Sequence, residues 1–159
     1  MADDPKGAAR TALVTGAGRR IGAAIALVLA RAGYAVVLHA NNSRDDAEKL
    51  ASTIMGAGGQ ARVVLADLAD REAVRGLVPA AAAFGGLTLL VNNAGEFEPD
   101  DIETLSHARF QRAVAVNLEG RFSSRRPSPR KRLKALTRQS SISSTSVCSD
   151  PTRAFSHTR

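Results

Sequence analysis

Four short apolar runs, TALVT from Thr11, YAVVLHA from Tyr34, ARVVLAD from Ala61 and LTLLVNN from Leu87, alternate with longer segments of helical spacing. The helical segments are expected over 21–32, 45–57 and 71–84, joined to the runs by turns that carry Gly or Asp. Strand and helix in strict alternation imply right-handed crossovers, a parallel sheet and helices on both of its faces. VVL and TLLV, apolar without alternation, suit strands covered from both sides. No run is long enough to cross a bilayer, and MADDPKGAAR lacks the apolar centre of a signal peptide, so a cytoplasmic location with no membrane contact is expected.

The first turn carries the chemistry. Val14-Thr15-Gly16-Ala17-Gly18-Arg19-Arg20-Ile21-Gly22 joins a strand to a helix, where backbone N–H groups and the helix dipole can receive a pyrophosphate. Gly16 and Gly18 allow a tight turn and close approach; Gly22 lets the helix pack on the sheet. The spacing is one residue longer than G-x-G-x-x-G, and a purely structural glycine turn is the other reading.

Together with Asp67-Leu68, Asn92-Asn93-Ala94-Gly95 and Asn117, the TGAGRRIG turn resembles the short-chain dehydrogenase/reductase family in order and approximate spacing, over about residues 8–120. Arg19-Arg20 in the turn and LHANNS after the second run are most similar to the pteridine-reductase-like branch. The resemblance implies an α/β fold, a Rossmann-like doubly wound parallel sheet that is incomplete here, with its first four strands. It also implies a nicotinamide cofactor, hydride transfer to or from a carbonyl, alcohol or imine-like carbon of a small molecule, and homo-oligomers among full-length relatives.

Where an NAD enzyme offers an acid to the adenosine ribose, this chain has His39, Ala40, Asn41, Asn42 and Ser43. A carboxylate there would repel a 2′-phosphate, whereas Arg19 can donate to one, with Asn42, Ser43 and Arg44 on the other side. NADP (NADPH) is therefore the expected cofactor, held by Gly16, Gly18, Arg19, Arg20, Ile21, Gly22, Asn42, Ser43, Asp67, Leu68, Asn93, Ala94 and Gly95. Solvated surface arginines are the alternative. By resemblance, Asp67 accepts from the adenine amino group, and NNAG lines the cofactor; read alone, Asp67 could cap the helix near Asp70 and NNAG could be a plain turn. Asn117 is similar to the family's helix asparagine, which holds a water in a proton relay, and is the one catalytic candidate. No metal site is expected.

The family completes its chemistry with Ser or Asp and then Tyr-x-x-x-Lys, in which Lys lowers the pKa of the acid–base Tyr. The single tyrosine here is Tyr34, at the start of the second run, where a half-buried core ring is the simple explanation. The chain thus has a cofactor site without its acid–base pair, and no turnover is expected of it.

Beyond Gly120 the chain changes character. Lys plus Arg stand at 12 against 14 Asp plus Glu through Gly120 and at 10 against 1 after it, and all 13 glycines precede Arg121. Residues 121–159 read as a disordered, low-complexity Arg/Ser-rich tail. An unpaired edge on the fourth strand would then favour aggregation. RRPSPRKRLK could be an arm for nucleic acid or an anionic surface, making the chain a non-catalytic dinucleotide-binding module, but no aromatic platform accompanies it and nucleic acid is the weaker choice. The preferred reading is a change of reading frame near Gly120. With permitted codons, reading three separated stretches from the third base gives VFLAQAF, PIVNII and Ser-Tyr-Thr, a helix, a strand and a tyrosine where the resemblance calls for them. The only cysteine, Cys148, can form no internal disulfide.

Overall fold

A computed structural model describes residues 10–99 and 103–120, and the backbone of 134–137. Cys148, the stretches read in a second frame and the expected disorder of the rest of the tail lie outside the described residues. Strands β1 (Arg10–Val14), β2 (Ala35–Ala40), β3 (Ala61–Leu65) and β4 (Gly86–Asn92) alternate with helices α1 (Arg20–Arg31), α2 (Arg44–Gly56) and α3 (Arg71–Ala82). The expected α/β, Rossmann-like sheet with its first four strands is present. A further helix, α4 (His107–Val114), runs directly into a π-helical turn, Ala115–Glu119.

Every strand pairing is parallel, and the order is β3-β2-β1-β4-β5, where β5 is Lys134–Thr137. Growth of the sheet reverses between β1 and β4, which opens a crevice outside the carboxyl ends of those two strands. Period-two alternation divides the core, except that a register shift where Thr11 and Ala12 meet Leu87 and Leu89 puts these two leucines on opposite faces. Ala12, Val14, Val36, Leu38, Leu89 and Val91 face α1 and α2 with Leu50 and Ile54. Leu13, Val37, Leu87 and Leu90 face α3 with Val74 and Leu77. β2 is buried at all six positions, as its uninterrupted apolar run requires, whereas β3 is half-exposed because it forms the sheet's outer edge.

Local chemistry sets where the helices begin. Asp70 accepts from the Glu72 and Ala73 amides at the start of α3, and Ser106 accepts from the Arg109 amide at the start of α4. Asp45 and Asp46 place negative charge in the first turn of α2.

One expectation needs correction. The outer edge of β4 is not left open, because β5, drawn from within the basic tail, pairs with Leu89 to Asn92. The reason is that ladder pairing is a backbone interaction: an edge of unpaired N–H and C=O groups accepts any segment that can extend beside it, whatever the surrounding composition.

Leu13 is fully buried at the centre of β1. Leu13→Ala should destabilise the fold by about 2–5 kcal/mol, read as a lower urea midpoint with an unchanged slope.

Candidate functional site

A cleft of about 810 Å³ opens at the carboxyl ends of the strands, and its walls include Gly16, Arg19, Arg20, Ile21, Gly22, Asn42, Ser43, Asp67, Leu68, Asn93, Ala94, Gly95 and Asn117. That volume lies within the range of small-molecule and cofactor sites, roughly 300–1,000 Å³. Gly18 is the one expected residue that does not face it. A Cβ at Gly18 would meet the Ser43 hydroxyl, so this glycine lets the start of α2 approach the turn. His39, Asn41, Glu96, Phe97 and Val116 also line the cleft.

The floor is a cross-brace between β1 and β4. Thr15, 2% exposed, accepts from the Asn93 and Ala94 amides at 3.0 and 3.1 Å and donates to the Val91 carbonyl at 3.2 Å. In return the Asn93 side-chain amide donates to the carbonyls of Thr15 and Gly16, at 3.0 and 3.1 Å. Gly16 has φ +62 and passes so close to Ala94 that a Cβ would lie 2.8 Å from its Cα. A Cβ on Gly22 would overlap the Gly16 carbonyl oxygen and crowd the Asn93 amide. Both positions therefore demand glycine for space, and Gly16 for backbone angle as well. The turn closes with Arg20 at φ +52, a left-handed conformation uncommon for a side chain of this size.

Charge at the rim is organised by α2. The Arg19 Nε donates to Asp46, leaving the two terminal nitrogens of the guanidinium for another acceptor. Arg44 instead runs along its own helix toward Glu48 at 3.8 Å, away from the phosphate role considered for it. No carboxylate stands among the cleft-lining residues at the end of β2, where His39, Asn41, Asn42 and Ser43 lie.

On the opposite wall, Asp67 does not cap α3, since Asp70 does so. The Asp67 carboxylate accepts from the Ala69 amide at 2.9 Å and from Arg112 at 3.0 Å, and its pKa is lowered first by that backbone bond and then by Arg112. Arg112, on α4, also donates to Glu96 at 2.9 Å, and these two acids raise its own pKa, Asp67 first. The Asn117 amide grips the backbone of Glu96 at both ends, accepting from its N–H at 3.0 Å and donating to its carbonyl at 2.8 Å. The candidate relay asparagine thus anchors the segment after β4 to the π-helical turn. Sequence reading missed His39 as a buried partner of the turn, and it missed Arg112, whose partner lies 45 residues away with no local pattern joining them. His39 was legible only as a polar residue inside an otherwise apolar run.

A short-chain dehydrogenase family model matches residues 10–135. This chain belongs to the short-chain dehydrogenase family. An uncharacterized oxidoreductase of Methylorubrum extorquens is 43% identical over 112 residues, 70% of this chain and 45% of the relative. Among solved structures, the FolM alternative dihydrofolate reductase 1 of Brucella canis, complexed with NADP, is 44% identical with a TM-score of 0.67, covering 73% of this chain and 46% of that one. A dehydrogenase/reductase of Sinorhizobium meliloti reaches a TM-score of 0.74 at 38% identity, covering 82% and 53%. The chain spans about half the length of the curated relatives it matches. Among the described residues no helix is long and apolar enough to cross a membrane.

The family cleft depends on the glycine contact beneath it. Gly22→Ala must separate α1 from the turn, and should lower stability by about 1–3 kcal/mol while removing ligand binding by the cleft. Thermal melting and ligand titration of the same sample check both effects.

Proposed function

We propose that this chain is the NADP-binding part of a short-chain dehydrogenase/reductase, with the pteridine-reductase-like branch as its source of substrates. The observation that carries the reading is the pairing of a cationic rim, Arg19 and Arg20, with a β2 end that presents His39, Asn41, Asn42 and Ser43 to the cleft and no acid. The glycine turn supports it independently. Gly16 and Gly22 pack the turn so closely against Ala94, Asn93 and its own backbone that a side chain at either would clash, and the turn opens helix α1, where a pyrophosphate would meet the helix N-terminus. The similarity to a Brucella canis reductase crystallised with NADP points the same way.

In this reading Arg19 and Ser43 hold the 2′-phosphate, and the glycine turn takes the pyrophosphate. Asp67, kept ionised by the Ala69 amide and Arg112, accepts from the adenine amino group beside the Leu68 backbone, and Asn93, Ala94 and Gly95 line the middle of the cofactor. NADPH supplies a hydride for a carbonyl or pteridine-like carbon when bound. The chain's own part is to orient that cofactor and exclude water from it. Asn117 fixes the wall of the substrate side through Glu96, and its amide keeps one further hydrogen and one lone pair for a water. The only tyrosine, Tyr34, stacks under the Arg10 guanidinium at 4.7 Å, at the other end of the sheet from the cleft. No Tyr-x-x-x-Lys accompanies Asn117 in this chain, and we read its activity as cofactor binding without turnover, in the cell's soluble phase.

NADPH should bind more tightly than NADH, and Arg19→Ala should weaken NADPH about tenfold while leaving NADH unchanged, since a charge-assisted bond to phosphate contributes about 1.5–3 kcal/mol. Fluorescence titration of both nucleotides decides it, and equal affinities would refute the assignment.

Turnover separates binding from chemistry. The chain should not consume NADPH with carbonyl or dihydropteridine substrates, because positioned acid–base groups provide on the order of a hundred- to ten-thousand-fold of rate. A gene restored to the alternative frame after codon 120 should consume it, and consumption by the chain as it stands would overturn the non-catalytic reading.

A further inference from the structure

We propose that His39 is the positioning residue of the glycine turn, acting only as the neutral imidazole that carries its hydrogen on Nε2, so that one proton taken up by this ring releases the turn and with it the bound dinucleotide. The inference deepens the NADP reading and rests on it for the identity of the ligand.

The geometry fixes the tautomer. His39 is 2% exposed at the end of β2. Its Nε2 lies 3.1 Å from the Ala66 carbonyl oxygen, which can only accept, so Nε2 bears the hydrogen. Its Nδ1 lies 3.2 Å from the Gly16 amide, which can only donate, so Nδ1 is the bare lone pair. The His39 carbonyl accepts from the Ala17 amide at 2.8 Å. One residue therefore takes two successive N–H groups of the turn, ring to Gly16 and backbone to Ala17, while its far nitrogen is tied to the segment leaving β3.

Protonation has one place to go. A hydrogen on Nδ1 would oppose the Gly16 N–H, turning the contact from attraction into repulsion and releasing Gly16, whose φ of +62 glycine adopts without strain, from its one side-chain anchor on β2. Burial pushes the ring's pKa down from 6.5, against smaller raising effects from the Ala66 carbonyl and the charge of Asp67. Asp67 is the charged group on the β3 side, and it is engaged by Arg112 from α4. On the β1 side the charged groups lining the same cleft are Arg19, which is paired with Asp46, and Arg20. The sign follows. The unfolded chain takes the proton at about 6.5 while the folded ring refuses it until lower pH, so the turn's stability is full above 6.5 and is lost as pH falls below it.

A histidine acting as a phosphate-binding cation would give the opposite trend, with affinity rising on acidification, and that contrast makes the test decisive. NADPH affinity is measured from pH 8 to pH 5 for the full chain, His39→Asn and His39→Leu. Asparagine offers an oxygen near the Nδ1 position and has no proton to gain, whereas leucine leaves the Gly16 amide without its acceptor. Relative to His39→Asn, which sees the same ionisation of the ligand's own phosphate, the full chain should lose affinity by up to tenfold per pH unit below the ring's pKa. His39→Leu should bind at least about tenfold more weakly at every pH. A full-chain profile parallel to that of His39→Asn, tighter binding at low pH, or unimpaired binding by His39→Leu would overturn the proposal. Nitrogen-resolved NMR of the ligand-free chain needs no variant to fold. It should show the Nε2–H tautomer at pH 7.5 and a Gly16 amide resonance that moves with the ring's titration; the Nδ1–H tautomer or a stationary Gly16 resonance would also overturn it. If no NADPH binds at any pH, the cofactor reading fails, and the ring and Gly16 resonances then judge the placement of His39 by themselves.

Discussion

A single hydroxyl, that of Thr15, meets three backbone groups at the point where the sheet changes its direction of growth. β1 and β4 are paired up to Val14 and Val91, and just beyond that point the amides of Asn93 and Ala94 turn toward Thr15. Thr15 satisfies both and passes its own hydrogen to Val91, while Asn93 returns two bonds to the turn. Removal of this hydroxyl would take away one acceptor shared by two part-buried amides. The separation of the two strand ends, and hence the width of the cleft, follows from the length of these bonds.

Around that fixed floor, the walls are tied by charge between elements distant in sequence. Arg19 joins the turn to α2 through Asp46, and Arg112 joins α4 to both Asp67 and Glu96. Side chains in these pairs are partly exposed, so each contributes little to stability, and their value is orientation. Arg112 keeps one carboxylate of the cleft ionised and directed, while Asp46 occupies one edge of the Arg19 guanidinium and leaves the other available. The two walls therefore present opposite signs of charge, a cationic rim beside α2 and an acidic one beside α4, which suits a ligand with phosphates at one place and an amino group at another.

The sheet was legible in the chain because its inner strands are buried on both faces and declare themselves as apolar runs, and because turns that carry Gly or Asp, such as those at Gly16 and Asp70, punctuate them. The cleft's backbone contributors were legible for a related reason: glycine at 16 and 22 is required by contacts with Ala94 and the Gly16 carbonyl, and such requirements leave a mark on local spacing. Arg112 and His39 left none. Their partners lie 45 and 23 residues away, at Asp67 and Gly16, and nothing in a linear pattern marks a side chain that becomes important only when another strand arrives beside it. The fifth strand escaped for a different reason, since pairing with β4 draws on backbone groups that every sequence possesses.

The π-helical turn that follows α4 places an extra residue in one helical circuit. In an α-helix each residue advances about 100° around the axis, so an insertion of one turns everything downstream by that angle relative to an uninterrupted helix. Asn117 sits within this widened circuit and meets Glu96 there. The direction of its amide is accordingly a matter of helical phase. Deletion of Ala115 would preserve every side chain of the wall in name, yet rotate the asparagine away from the segment it holds, so the identity of a residue in this wall and its bearing are specified by separate features of the chain.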